Sequence, residues 1–313
     1  MKIVITGGAG FIGSHLALRY LQQGDQVLIL DNMSTGKRVV KGVEFAQIDI
    51  LDQVSLDRVM KAYQPDIICH LAATLGVKRV IEQPLMTWET NVIGTLNVMN
   101  SAREIGVKKV LNVSTSSIYG DNDRNPKLES FAPNSDEVYS ISKTSAEAYC
   151  RSLFEEFGLP VVTVRPFNVY GPFQDATPYG FVICIFIRNL LEGKPLTIFG
   201  DGTQIRDFMF VDDCVSGMMK VVDSGVDGEA YNLSGQRPIQ ILDLAHKLQE
   251  MIPPTKCREI DFAPKRPKDI YRRWGSSKKM EELGWSPEIT LDSGLERTIE
   301  YFKSGQFAAR RKG

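Results

Sequence analysis

Tyr139 and Lys143 stand four residues apart, which puts them on one face of any helix that carries both. Upstream, Ser114-Thr115-Ser116-Ser117 follows the apolar run Val110 to Val113. The N-terminus reads Thr6-Gly-Gly-Ala-Gly-Phe-Ile-Gly13. A free tyrosine, with a pKa near ~10, is a weak base at neutral pH. A lysine cation beside it favours the phenolate, and so does an oxidised nicotinamide. Thr115 would then donate a hydrogen bond to a substrate oxygen. Thr115, Tyr139 and Lys143 are therefore the expected catalytic residues, in proton-transfer and orienting roles. The chemistry they fit is the movement of a hydride and a proton to or from a secondary alcohol.

The glycines supply the other half of that chemistry. Gly8-Ala-Gly10-Phe-Ile-Gly13 matches GxGxxG, and Gly7, Gly10 and Gly13 also give GxxGxxG. The match follows a strand pattern and opens a helix pattern, which is the context a dinucleotide loop requires. Gly7, Gly10 and Gly13 permit a tight turn and close approach to a pyrophosphate, with Phe11 and Ile12 opening the helix. Asp31 lies at the end of the second strand pattern, where an acid binds ribose hydroxyls and repels a 2′-phosphate. Asn32 follows it, not an arginine, so NAD is the expected cofactor. Lys37 and Arg38 are near enough to reach a phosphate, which keeps NADP as the alternative.

These residues need a scaffold, and the first 165 residues describe one. Strand patterns at Lys2 to Thr6, Gln26 to Leu30, Val43 to Ile48, Ile67 to Leu71, Val110 to Val113 and Val161 to Arg165 alternate with helix patterns. The helices are expected at Phe11 to Gln22, Ser55 to Tyr63, Thr87 to Ile105 and Glu137 to Phe157, with Gly24, Gly106 and Gly158 as stops. The alternation predicts an α/β fold, a Rossmann-type doubly wound parallel sheet with helices on both faces. After Pro166 the pattern loosens into a smaller, interleaved α+β portion that would bind substrate. The expected division is 1–166 and 167–313.

Composition narrows the class. The chain has 313 residues, 43% of them hydrophobic, which is enough for a sizeable core. Its formal charge is −1, from 37 basic and 38 acidic residues, so no basic excess points to nucleic acid. The clusters Lys265-Arg266, Arg272-Arg273 and Lys278-Lys279 read as solvated faces. Five scattered cysteines without a CxxC, and three histidines, make a disulfide scaffold or a metal site unexpected. No apolar run reaches membrane-spanning length, and no basic n-region or cleavage site precedes the first strand. A cytoplasmic, reducing setting without membrane contact is expected.

The whole chain resembles the extended short-chain dehydrogenase/reductases, in their NAD-dependent epimerase/dehydratase family, which act on nucleotide-sugars. The resemblance is carried by Thr6 to Gly13, Asp31-Asn32, His70-Leu-Ala-Ala73, Asn91, Thr115 to Gly120, Tyr139 with Lys143, Arg165 to Pro172, Gly200 to Asp207, Arg266-Pro267 and Leu283-Gly-Trp285. It implies that Asp49 and Ile50 flank the adenine, and that Leu71, Ala72, Ala73 and Asn91 belong to the cofactor site. Pro166 and Phe167 would sit near the nicotinamide, and Lys143 would hold its ribose. It further implies that Asn168 binds the substrate's phosphate or sugar, that Arg206 clamps the diphosphate, and that Arg266 adds a second contact. Lys78 would meet a substrate charge. A homodimer built on the helices near 87–105 and 137–157 is implied as well.

The same resemblance sorts the reactions. In the family's 4,6-dehydratases an Asp-Glu pair follows the threonine, and the related decarboxylases keep a glutamate at the second position. Here Ser116 and Ser117 stand there, and a serine hydroxyl is no acid–base pair near neutral pH. The resemblance therefore implies redox-neutral 4-epimerisation of a UDP-hexose or UDP-uronate. Net dehydrogenase or reductase chemistry is the alternative, and dehydration or decarboxylation a further one. Some uronate 4-epimerases carry threonine where Asn168 stands, so Asn168 resembles the neutral-hexose enzymes, whereas the serines would suit a carboxylate. Cys184 replaces a common proline in the segment that covers the nucleotide, which leaves the base open.

Overall fold

The computed structural model describes residues 1–122, 124–177, 180–253, 259–265 and 270–305. The strands β1 (Lys2–Thr6), β2 (Gln26–Asp31), β3 (Glu44–Gln47), β4 (Ile67–His70), β5 (Lys109–Val113) and β6 (Val161–Pro166) form in the expected order. They join a seven-stranded parallel sheet whose order puts β1 between β2 and β4. The strand order reverses at that point, so a crevice opens where the chain leaves β1 and β4.

Both faces of the sheet are covered, as continuous apolar strands require. Ile3 and Ile5 point into one buried cluster with Leu16 and Val215, while Val4 points into the other with Met60 and Val98. That alternation is the two-residue period of a strand.

The sheet's seventh strand comes from the interleaved second portion, at a place the sequence did not specify. Ala230–Leu233 pairs in parallel with β6, and the helix Val211–Ser224 packs against helix α1 (Phe11–Gln22), β5 and β6. Both come from the half that the sequence assigned to substrate. The strand AYNL is short and sits among many equally short patterns, so only pairing with β6 distinguishes it.

The expected long helix at 87–105 also differs. It is divided into Pro84–Trp88, a π-turn at Glu89–Ile93, and Gly94–Ile105. The flanking residues keep helical dihedrals, so the axis continues while one turn widens. Gly94 sits where a Cβ would meet Ile50 at 2.4 Å. The glycine stops are as read: Gly106 and Gly158 cap their helices in left-handed conformation, with φ of 65° and 69°.

Among the described residues, three small sheets accompany the large one. Val169–Tyr170 pairs with Met209–Phe210, and Leu196–Phe199 with Ile260–Ala263. The third joins Pro238–Gln240, Ile205–Asp207 and Arg272–Arg273. No helix among the described residues is long and apolar enough to cross a membrane.

Candidate active site

The crevice at the β1/β4 reversal is the mouth of a cleft of about 1720 Å³. Its first wall is the glycine loop. Gly7 adopts φ +71°, and a Cβ there would lie 2.6 Å from the backbone nitrogen of Ala72. A Cβ on Gly13 would meet the Gly7 carbonyl at 2.4 Å. These two glycines therefore let loop, helix and the segment after β4 close together. At Gly10 a Cβ has only the Gly7 carbonyl near it, at 3.1 Å, and otherwise faces the cleft.

Helix α1 starts at this point without a side-chain cap. Its first N–H groups have no intrahelical acceptor and carry the positive end of the helix dipole, which suits a pyrophosphate. Phe11 and Ile12 line the same wall.

Asp31 braces the next part of the wall. Its carboxylate accepts from the Ala9 N–H at 3.0 Å and the Met33 N–H at 2.8 Å. Burial pushes its carboxyl above the ordinary range, and those two bonds oppose the shift. Arg38, one of the two cations that could reach a 2′-phosphate, is drawn elsewhere: it lies over the Phe173 ring at 3.4 Å and donates to Ser14. Asn32 donates to Asp49 at 2.9 Å, and both line the cleft with Ile50. Leu71, Ala72, Ala73 and Pro166 also line it. A carboxylate with a spare lone pair on each oxygen, a glycine-rich loop and an uncapped helix start fit a dinucleotide. The buried Ser114 Oγ, which finds no protein partner and lines the cleft, adds a polar group for a bound molecule.

Asn91 corrects the sequence reading. It is fully buried behind the wall, accepting from the Thr74 N–H at 2.7 Å and donating to Thr74 O and Ser142 Oγ. With its amide satisfied by protein, it braces the loop after β4 instead of lining the cleft. Phe167 likewise turns inward to stack on Tyr119.

The three residues expected to be catalytic line the same cleft. Thr115 ends the loop after β5 and caps the short turn Ser116–Tyr119. Tyr139 and Lys143 lie in the first turns of the helix Val138–Phe157, facing the cleft. That helix is fixed by a capping box between Glu137 and Ser140. Burial raises the Tyr139 phenol, while a hydrogen bond with Thr115 and the Arg273 guanidinium pull it down. Burial lowers the Lys143 ammonium to about 8, with Cys150 and Glu147 opposing. Arg165 ties β6 to this helix through Glu147 and donates to Tyr119 at 2.8 Å.

The substrate side of the cleft carries Ser116, Ser117, Asn168 and Arg206. Asn168 donates to the Asp207 carbonyl at 2.8 Å. The Asp207 carboxylate turns away to Ser234 and the N–H groups of Gln236 and Arg237. Asp201 is taken by Thr203. Cys184 is buried against Gln174 at 3.1 Å, among core residues. Arg266 and the side chain of Lys78 lie outside the described residues.

Arg273 was missed. The sequence placed it in a solvated basic cluster, yet it lines the cleft and donates to Ser117 Oγ at 3.1 Å and Asn168 Oδ1 at 3.4 Å. Nothing in Arg272-Arg273 distinguishes it before its strand pairs with Ile205–Asp207.

Sheet, glycine loop and a cleft that holds Tyr139 and Lys143 together have the form of a dinucleotide-dependent enzyme. Residues 3–234 match the NAD dependent epimerase/dehydratase family, and the chain belongs to it. NAD is its cofactor. The crystal structure of UDP-glucose 4-epimerase with UDP-glucose from Thermotoga maritima superposes with a TM-score of 0.93 at 34% identity, covering 97% of this chain and 99% of that one. The UDP-N-acetyl-alpha-D-glucosaminuronate decarboxylase of Bacillus cytotoxicus is 34% identical over 321 residues, 96% of this chain and 98% of its own. The dTDP-glucose 4,6-dehydratase of Neisseria meningitidis is 33% identical over 334 residues, 96% of this chain and 93% of its own. Overall identity does not separate three reactions, so the residues at the reacting end must.

Proposed function

We propose that this enzyme is a nucleotide-sugar 4-epimerase acting on a UDP-hexose or UDP-uronate. The observation that carries the reading is the pair Ser116 and Ser117, two hydroxyls directly after Thr115 on the cleft wall. Neither supplies the acid and base that elimination across a sugar's C5 and C6 needs.

NAD, when bound, supplies the two-electron acceptor and donor for the sugar's secondary alcohol. Tyr139 takes the hydroxyl proton and returns it, with Thr115 holding the same oxygen. The Lys143 cation favours the phenolate and orients the nicotinamide ribose. Asn168 and Arg206 hold the rest of the substrate, Arg206 as a guanidinium fork on the diphosphate, with Arg266 as a second contact. Lys78 is the further candidate for a substrate charge. The 4-ketone is planar, so a sugar that turns over presents its other face, and hydride to C4 with the Tyr139 proton to the oxygen then gives the epimer. By role, residues 1–166 serve the cofactor and 167–313 the nucleotide-sugar. UDP is favoured because two of the three proteins compared above carry it in their names.

The test is incubation with UDP-, GDP-, CDP- and dTDP-sugars, followed by proton NMR and by absorbance at 340 nm. Conversion to an epimer without net change in NADH is expected. Stoichiometric NADH change would make the enzyme a dehydrogenase or reductase and overturn the reading. The relatives of similar identity keep a second reading, and release of CO₂ or a 6-deoxy-4-keto product marks it.

A cytoplasmic homodimer without membrane or nucleic-acid contact belongs to the same reading. Trp88 and Ile93 on one helical segment, and Val138 and Ile141 on the other, expose apolar side chains that a second copy can cover.

A further inference from the structure

Two arginines face the substrate cleft from neighbouring strands. Arg273 stands in register beside Arg206 across a parallel pair, so both side chains leave the same face of the small sheet. Both line the cleft. Like charges placed side by side on adjacent strands repel, and anions between them relieve the repulsion. A ligand with two anionic groups suits such a pair.

The two guanidiniums are not equivalent. Arg273 donates to Ser117 Oγ at 3.1 Å, and Ser117 Oγ also receives the Thr115 hydroxyl at 3.3 Å. Thr115 in turn faces the cleft with Tyr139 and favours its ionised form. Arg273 is thus joined through Ser117 to Thr115, on the same cleft wall as the Tyr139 phenol. Arg206 donates to the Ile205 carbonyl at 2.9 Å, on its own strand.

We propose that Arg273 reads the sugar, and that the group it receives is the carboxylate of a nucleotide-linked uronic acid. The proposal rests on the nucleotide-sugar reading of the same cleft and names its substrate class. A guanidinium fork matches a carboxylate with two parallel hydrogen bonds, whereas a primary alcohol uses one. Ser117 and Asn168 fix the fork from one side with neutral acceptors. An acid at position 117 would pair with Arg273 and cancel its charge, and serine leaves that charge for the substrate. Asn168, which the sequence aligned with neutral-sugar enzymes, instead aims Arg273 through its Oδ1 at 3.4 Å.

The experiment compares UDP-glucuronate with UDP-glucose on the NAD-bound enzyme. Binding is measured by calorimetry, turnover by NMR, and free UDP is the control ligand. The wild type is expected to favour the uronate by roughly 10- to 100-fold, the range for a charge-assisted contact. Arg273→Leu is expected to abolish that preference while leaving the affinity for UDP unchanged. Arg273→Lys, which keeps the charge without the fork, should fall between them. A wild type that favours the hexose, or a leucine variant that loses UDP and both sugars equally, overturns the proposal. Uronate-selective binding without epimer formation would uphold Arg273 and sink the epimerase reading, so the two failures are distinguishable.

Discussion

Tyr139 sits in an environment that, in the bare chain, resists ionisation. Burial raises its phenol, and Thr115 and Arg273 oppose that. A base of this kind becomes useful when a further positive charge arrives, so proton transfer should be tied to cofactor occupancy. Tyr139→Phe is expected to lower kcat by about 10²- to 10⁴-fold, the usual worth of a positioned acid–base group, with NAD still bound. Turnover near the wild-type rate would refute the assigned base. Asp31 makes the second residue-scale prediction. Its carboxylate orders two backbone N–H groups, one on each oxygen, and each oxygen keeps a lone pair for a ribose hydroxyl. Asp31→Ala should weaken NAD by roughly 10- to 100-fold and shrink the margin over NADP, as read by fluorescence titration. An unchanged Kd ratio would count against its role. At this scale the sequence was informative where residues act on their neighbours in sequence. Tyr139 with Lys143 and the glycine loop are local patterns. Asn91 and Arg273 were misread because their partners lie far along the chain, Thr74 and Ser142 for one, Ser117 and Asn168 for the other.

Between elements, β1, β4 and the helix Gly94–Ile105 are tied by one imidazole. His70 Nδ1 meets Thr6 Oγ1 at 2.7 Å, and Nε2 meets Thr95 Oγ1 at 2.9 Å. Burial, with the nearby Lys143 charge, lowers its pKa from 6.5 to about 3. The unfolded chain therefore binds a proton that the folded chain refuses. The contribution to stability is fully present above about 6.5 and is lost as pH falls from there towards about 3. The slope is at most about 1.4 kcal/mol per pH unit. Urea unfolding between pH 7 and 4 should show it, and His70→Asn should flatten that part of the curve. An identical pH slope in the variant would show that other groups carry it. Element existence was legible because strand and helix periods differ so strongly. The π-turn at Glu89–Ile93 was not, since a widened turn leaves the helical apolar spacing nearly intact over so short a stretch.

The whole molecule presents apolar side chains where the proposed dimer forms. Replacing Ile141 and Ile93, both exposed, with aspartate should shift the enzyme to monomer in sedimentation at micromolar concentration. Sedimentation of the wild type as a monomer would remove the proposal. The doubly wound plan was readable from six strand patterns in order, yet the seventh strand was not, because its only signature is its place beside β6. That place has a consequence for synthesis. Translation delivers roughly 5–20 residues per second. The open flank of β6 thus waits several seconds for Ala230–Leu233 to emerge from the ribosome. An uncovered parallel edge is a template for wrong partners during that interval. A fragment ending at residue 166 never receives its partner at all, and in bacterial expression it should collect in the insoluble fraction while the full chain stays in solution.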